Sequence, residues 1–175
     1  AKRHQAAVKQ PLSGWMGHAK PFAFDAQYQG ADNVNKYLCG TPSVIAMSAL
    51  DAALDVWQDV STLHIREKSI ALADVFIKLV RSQSCLANLY LSSTEDSTQR
   101  GSQLAFAHDN AFAICQALIE KGVIADFRAP NILRFGFTPL YNSFEDIWKA
   151  VTILTDVVQT RLYTKPRFNK AGKVT

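Results

Sequence analysis

The chain has no apolar run approaching 18 residues, no cysteine–histidine cluster and no glycine-rich phosphate loop. The first absence excludes a membrane-spanning helix, and no membrane partner is expected. The three cysteines, Cys39, Cys85 and Cys115, have neither close pairing nor metal-type spacing. This excludes a disulfide framework and a zinc site. Cys85 and Cys115 fall in apolar patterns and read as reduced core residues, which suits the cytoplasm. No nucleophile elbow appears, and no nucleophile stands beside an obvious base. There is no signal peptide and no initiator methionine. The opening Ala1-Lys2-Arg3-His4 reads as the start of a piece of a longer polypeptide.

What is present is an ordinary globular composition, with 48% hydrophobic and 19% charged residues. The net charge of +4 comes from 19 Lys+Arg against 15 Asp+Glu. Much of it is scattered singly near the ends, at Lys2, Arg3, Lys9, Lys20, Lys165, Arg167, Lys170 and Lys173. Singly spaced charges describe a solvated surface, so no nucleic-acid partner is expected.

Residues 1–42 hold four of the eight glycines and no lasting period, and read as ordered loop. Ser43 to about Gln58 is expected to be helical, with Ile45, Ala49, Ala52, Ala53 and Val56 on its buried face. After a break at 59–62, a second helix runs to about Ser82, with Leu63, Ile70, Val75, Leu79 and Val80 as apolar positions. Leu86–Leu91 and Gln103–Ala107 read as strands, with a polar loop between them. Asn110–Lys121 is a helix capped by Asp109 or Asn110 and closed by Gly122. Val123–Asp126 and Ile132–Phe137 read as strands. A last helix starts at a Ser143 cap and continues to about Tyr163. The fold class is α+β: a small, mostly antiparallel sheet with helices on one face, preceded by a loop-rich strip.

Two stretches carry chemistry. In Gly14-Trp15-Met16-Gly17-His18, a tryptophan between small residues can offer its ring or indole N–H to a ligand, or plug an apolar gap. His18 is either an acid–base or phosphate-binding group or a satisfied structural donor. Cys39-Gly40-Thr41-Pro42 leads into a helix whose free N–H groups favour anions, and Thr41 adds a hydroxyl or simply caps the helix. In Leu133-Arg134-Phe135-Gly136-Phe137, an arginine ends an apolar strand. Its partial desolvation calls for an anion: a ligand carboxylate held by two parallel bonds, or Asp126 or Glu145 from across the fold. Asp126 and Arg128 read as a structural pair. Phe106, Phe112, Phe127 and Trp148 read as core.

Together with KPFAF (20–24), KYLCGTP (36–42), RGSQLAF (100–106), ALIEKGVIADFRAP (117–130), RFGFTPLYNSF (134–144) and KPRFNKAGKVT (165–175), these motifs resemble the kynureninase family. That family belongs to the pyridoxal 5'-phosphate (PLP) enzymes of the aspartate-aminotransferase-like superfamily. The resemblance covers essentially the whole chain and implies the C-terminal part of a bacterial-type enzyme. Residues 1–42 would be a strip of the large PLP domain, 43–59 a connecting helix and 60–175 the small domain. It implies hydrolysis of L-kynurenine, or 3-hydroxykynurenine, to anthranilate (or its 3-hydroxy form) and L-alanine, in tryptophan degradation.

By the same resemblance, Trp15 and Thr41 contact the cofactor PLP, reaching into the partner's site of a homodimer, and Arg134 holds the substrate α-carboxylate. His18 and Met16 are neighbours, with no catalytic role assigned to His18. Met16 replaces the family's usual aromatic residue, which softens the wall beside Trp15. Thr41 in place of Asn leans toward unsubstituted kynurenine. The family's PLP lysine lies upstream of the Gly-Trp motif. Neither Lys2 nor Lys9 has its context, so this chain alone is expected to be inactive and to need the remainder of its large domain. The alternatives are another PLP enzyme, an aminotransferase or desulfurase-like lyase, and a basic α+β nucleic-acid module. Cys39, wedged against Gly-Thr-Pro, poorly suits a desulfurase, and the strands lack the aromatic–basic interleaving an RNA binder needs.

Overall fold

The computed structural model of the chain describes residues 2–5 and 7–170. Lys173 and the last five residues of the closing basic motif lie outside the described residues. The chain forms two compact units, dividing between Asp59 and Val60.

The first unit is mainly irregular. It holds a helical turn α1 (Lys2–Gln5), 3-10 turns at Trp15–Gly17 and Val34–Tyr37, and an antiparallel bridge between His18 and Gly30. Helix α2 (Val44–Leu54) follows and tightens into a 3-10 turn at Asp55–Trp57. Its cap is Ser43, whose hydroxyl accepts from Ala46 N at 3.4 Å, so Thr41 does not cap it. The expected buried face is not buried: Ile45 is 85% and Val56 60% exposed. Val44, Ile45, Met47, Leu50 and Leu54 surround the helix and none is buried, because among the described residues its chief packing neighbour is the 3-10 turn that continues it.

The second unit is a four-stranded antiparallel sheet with helices on one face. The strands are β1 (Tyr90–Leu91), β2 (Gln103–Ala107), β3 (Asp126–Arg128) and β4 (Ile132–Gly136), in the order β1-β2-β4-β3. Helices α3 (Thr62–Ser82), α4 (Ala111–Glu120) and α5 (Phe144–Gln159) supply the rest of the core.

Helix α3 starts at Ser61, which accepts from Leu63 N at 3.2 Å. It buries Ser69, Leu72, Ala73, Phe76, Ile77 and Val80, a stripe at helical spacing. Leu63, expected among the apolar positions, is exposed, well before that stripe begins at Ser69. Phe76 packs on the rings of Phe106, Phe135 and Phe137 at 5.9, 4.7 and 5.4 Å. Each such fully buried apolar side chain contributes about 1.5–3 kcal/mol. Phe112 and Phe127 stack edge to face at 5.3 Å and tie α4 to β3, while Trp148, expected in the core, is 57% exposed.

Several boundaries move for local reasons. The expected strand Leu86–Leu91 is mostly a turn: Ser84–Leu86 is 3-10, and only Tyr90 and Leu91 reach β2, opposite Ala107 and Phe106. The expected strand Val123–Asp126 starts only at Asp126. Gly122, at φ +87°, donates to Ile119 O and Val123 donates to Leu118 O, so the helix-closing motif runs through residue 123. Helix α5 opens with a capping box between Ser143 and Asp146 and ends at Gln159, before Tyr163, because Arg161 turns left-handed at φ 53°.

Candidate functional site

In the first unit, the glycines of the Gly-Trp motif are required by close approach. A Cβ on Gly14 would lie 1.6 Å from the carbonyl oxygen of Cys39. One on Gly17 would lie 2.8 and 2.9 Å from the carbonyl oxygens of Lys36 and Leu38. The turn bearing Trp15 and Met16 is thereby pressed onto the segment that ends in Cys39-Gly40-Thr41. Cys39 adds a thiol bond to Leu12 O at 3.2 Å. The structure therefore brings the Trp15 turn and the Thr41 segment together. Trp15 is 49% exposed and Thr41 is exposed, while Met16 is half-buried.

Trp15, His18, Lys20, Phe24 and Tyr28 line a cavity of about 450 Å³. Its walls are aromatic, with Lys20 and Asp25 supplying one charge of each sign. Trp15 packs edge-on to Phe22, with centroids 5.5 Å apart. The ring of His18 is held on both sides: Nδ1 accepts from Lys20 N at 2.9 Å, which leaves Nε2 to donate to Gln27 O at 3.4 Å. It also stands edge-on to Tyr28 at 5.6 Å. His18 is thus a structurally satisfied side chain at the cavity wall.

Arg134 lies in the second unit, at the centre of β4. Leu133 and Phe135 point into the core, so the period-2 alternation puts Arg134 on the face the helices leave open. Its cross-strand neighbours there are Ala105 on β2 and Asp126 on β3. Asp126 is its partner: Arg134 Nε donates to Asp126 Oδ2 at 2.8 Å, and Nη2 donates to the same oxygen. Arg128 Nη2 stands 3.3 Å from that oxygen too, so the expected Asp126–Arg128 pair is one arm of a three-residue cluster. Arg134 keeps 26% of its side chain exposed and Asp126 38%. A cleft of about 670 Å³ bordered by Phe135, Gly136, Thr138, Tyr141 and Asn142 also has Phe76 and Ile147 in its lining, so it belongs to the helix-covered side of the sheet, and Arg134 does not line it.

Sequence reasoning missed two things. The most buried guanidinium is that of Arg100, from a stretch read as polar loop. Asp126 was read toward Arg128 first, because strand register is invisible in a linear pattern. Among the described residues, no group of histidine, cysteine and carboxylate side chains could hold a metal ion, and no helix is long and apolar enough to cross a membrane.

The chain was compared with known proteins. A family model described as the kynureninase C-terminal domain matches residues 65–154. Kynureninase of Burkholderia mallei (strain SAVP1) is 44% identical over 174 residues, which is 99% of this chain and 42% of that protein. Kynureninase of Burkholderia pseudomallei (strain K96243) gives the same figures. Kynureninase of Pseudomonas fluorescens is 39% identical over 168 residues, covering 96% of this chain and 40% of the relative. The chain thus spans about two fifths of the length of the curated relatives it matches.

Proposed function

The chain belongs to the kynureninase family, and from that premise we propose that the complete protein hydrolyses L-kynurenine, or its 3-hydroxylated form, with PLP as cofactor. The net reaction adds one water across the Cβ–Cγ bond and releases anthranilate (or 3-hydroxyanthranilate) and L-alanine. The identity of 44% across 99% of this chain carries the reading.

The residues present fit a share of such a cofactor site. Gly14 lets the Trp15 turn close on the backbone of Cys39, where a Cβ would collide, and so fixes the place of the indole. Trp15 and Thr41 stay accessible, with an indole N–H and a hydroxyl suited to an anionic phosphate; Trp15 shares its cavity with Lys20 and Asp25, while Thr41 stands on the segment pressed against the Trp15 turn. We assign Trp15 and Thr41 to PLP contact, from one protomer of a homodimer into its partner's site, with Met16 and His18 as wall. Bound there, PLP supplies an electron sink for charge developing at the substrate's α-carbon.

Arg134 grips the substrate's α-carboxylate. Its place on a strand, rather than on a loop, fixes the direction from which the carboxylate is held. Orientation of the scissile bond is its contribution to rate. The lysine that carries the cofactor belongs to the part of the protein upstream of the Gly-Trp motif, so activity belongs to the complete polypeptide. Reduced cysteines suit a cytoplasmic enzyme.

The test is direct. The complete protein, supplied with PLP and L-kynurenine, should release fluorescent anthranilate and L-alanine in equal amounts. Transfer of the amino group to a keto acid without anthranilate would overturn the assignment.

A further inference from the structure

We propose that Asp126 is a positioning residue for Arg134: it holds one edge of the guanidinium so that the adjacent Nη1–Nη2 edge is presented to the substrate's α-carboxylate. The inference rests on the role proposed above for Arg134.

The geometry carries it. A guanidinium has five N–H donors in a rigid plane. Asp126 Oδ2 takes Nε and Nη2, the side edge, and leaves the Nη1–Nη2 fork for a second acceptor. That fork is the edge that binds a carboxylate through two parallel bonds. Asp126 is not a chance neighbour. It is the registered cross-strand partner of Arg134, and β3–β4 pairing sets its position. Arg128, 3.3 Å from the same oxygen, leaves the trio with a net single positive charge at neutral pH. One incoming carboxylate neutralises it. Without Asp126, two cations would face each other and Arg134 would be free to rotate away.

The test uses the complete protein and four variants: Asp126→Asn, Asp126→Glu, Asp126→Ala and Arg134→Ala. The expected result for Asp126→Asn is a rise in KM for L-kynurenine of about tenfold, the loss of one charge-assisted contact. The change in kcat should be smaller. Asp126→Glu, which restores the charge, should recover part of the loss. Competitive inhibition by kynuramine, which lacks the carboxylate, should be unchanged in every variant that folds, so preference for the carboxylate-bearing compound collapses. That selective loss separates positioning from simple unfolding, and Asp126→Asn keeps the shape where Asp126→Ala fails to fold. Unchanged KM in Asp126→Asn alongside a raised KM in Arg134→Ala would overturn this role and leave that of Arg134 standing. A lowered KM in Asp126→Asn would mean that Asp126 competes with substrate, and would overturn it too. Unchanged KM in Arg134→Ala would end both readings.

Discussion

Arg100 Nη2 donates to Asp74 Oδ1 at 2.8 Å, with the arginine side chain 3% and the aspartate 45% exposed. Nη1 of the same guanidinium reaches the carbonyl oxygens of Thr94 and Glu95 at 3.2 and 3.3 Å. One side chain therefore fastens the polar loop before β2 onto helix α3. Arg100→Ala removes all three contacts. It should cost about 2 kcal/mol, the range for hydrogen bonds to a charged group. Asp74→Asn, which keeps an acceptor, should cost less. Thermal unfolding of the two variants reads the difference, and an unshifted midpoint in Arg100→Ala would contradict it.

Gly14 and Gly40 should respond in opposite ways to alanine. At Gly14 the added carbon collides with backbone at Cys39, which cannot move aside as a flexible side chain could. At Gly40 it meets nothing within 4 Å. In the complete protein, Gly14→Ala should therefore loosen the Trp15 turn and, on the cofactor contact proposed for Trp15, weaken PLP retention. Gly40→Ala should retain PLP as the parent does. Dialysis followed by cofactor absorbance measures both.

Burial pushes the Cys115 thiol up to about 11, and the carboxylate of Asp126 adds to the rise. The sign follows from proton binding. Between the ordinary thiol range near 9 and about 11, the unfolded chain releases this proton and the folded chain keeps it. The contribution is thus fully present below pH about 9 and is lost as pH rises toward 11. Cys115→Ala should flatten the alkaline fall in stability. Iodoacetamide at neutral pH should label exposed Cys39 in the folded protein and reach Cys115 only after unfolding.

The capping box of α5 gives the acid-side counterpart. Asp146 lies below the usual carboxylate range, chiefly through the Ser143 backbone N–H and then its hydroxyl. A lowered carboxylate stabilises above its unfolded pKa, and the gain is lost as pH falls through the folded one. Ser143→Ala should cost about 1 kcal/mol at neutral pH and reduce this acid-side loss. Unfolding midpoints at neutral and acidic pH check it.

Local chemistry was readable in the linear chain. Ser143 announces its helix because a hydroxyl before an apolar-periodic run satisfies free N–H groups, and Gly122 announces a stop because that turn requires positive φ. The membership of the family was readable too, because its motifs recur at compatible spacing. What lies across the fold was not. Helix α2 was legible as a helix, but the face expected to be buried, with Ile45 and Val56, is exposed, because burial depends on what packs against a helix and not on its own sequence. The partner of Arg134 depends on β3–β4 register, where a slip of one residue would send Asp126 to the other face. Arg100 looked solvated because its neighbours are polar, and only the approach of α3 desolvates it. Sequence alone settled which segments could turn, cap and coil, because those energies are local. Tertiary structure alone decided which charges meet, because that depends on residues far apart in the chain arriving within about 3 Å of each other.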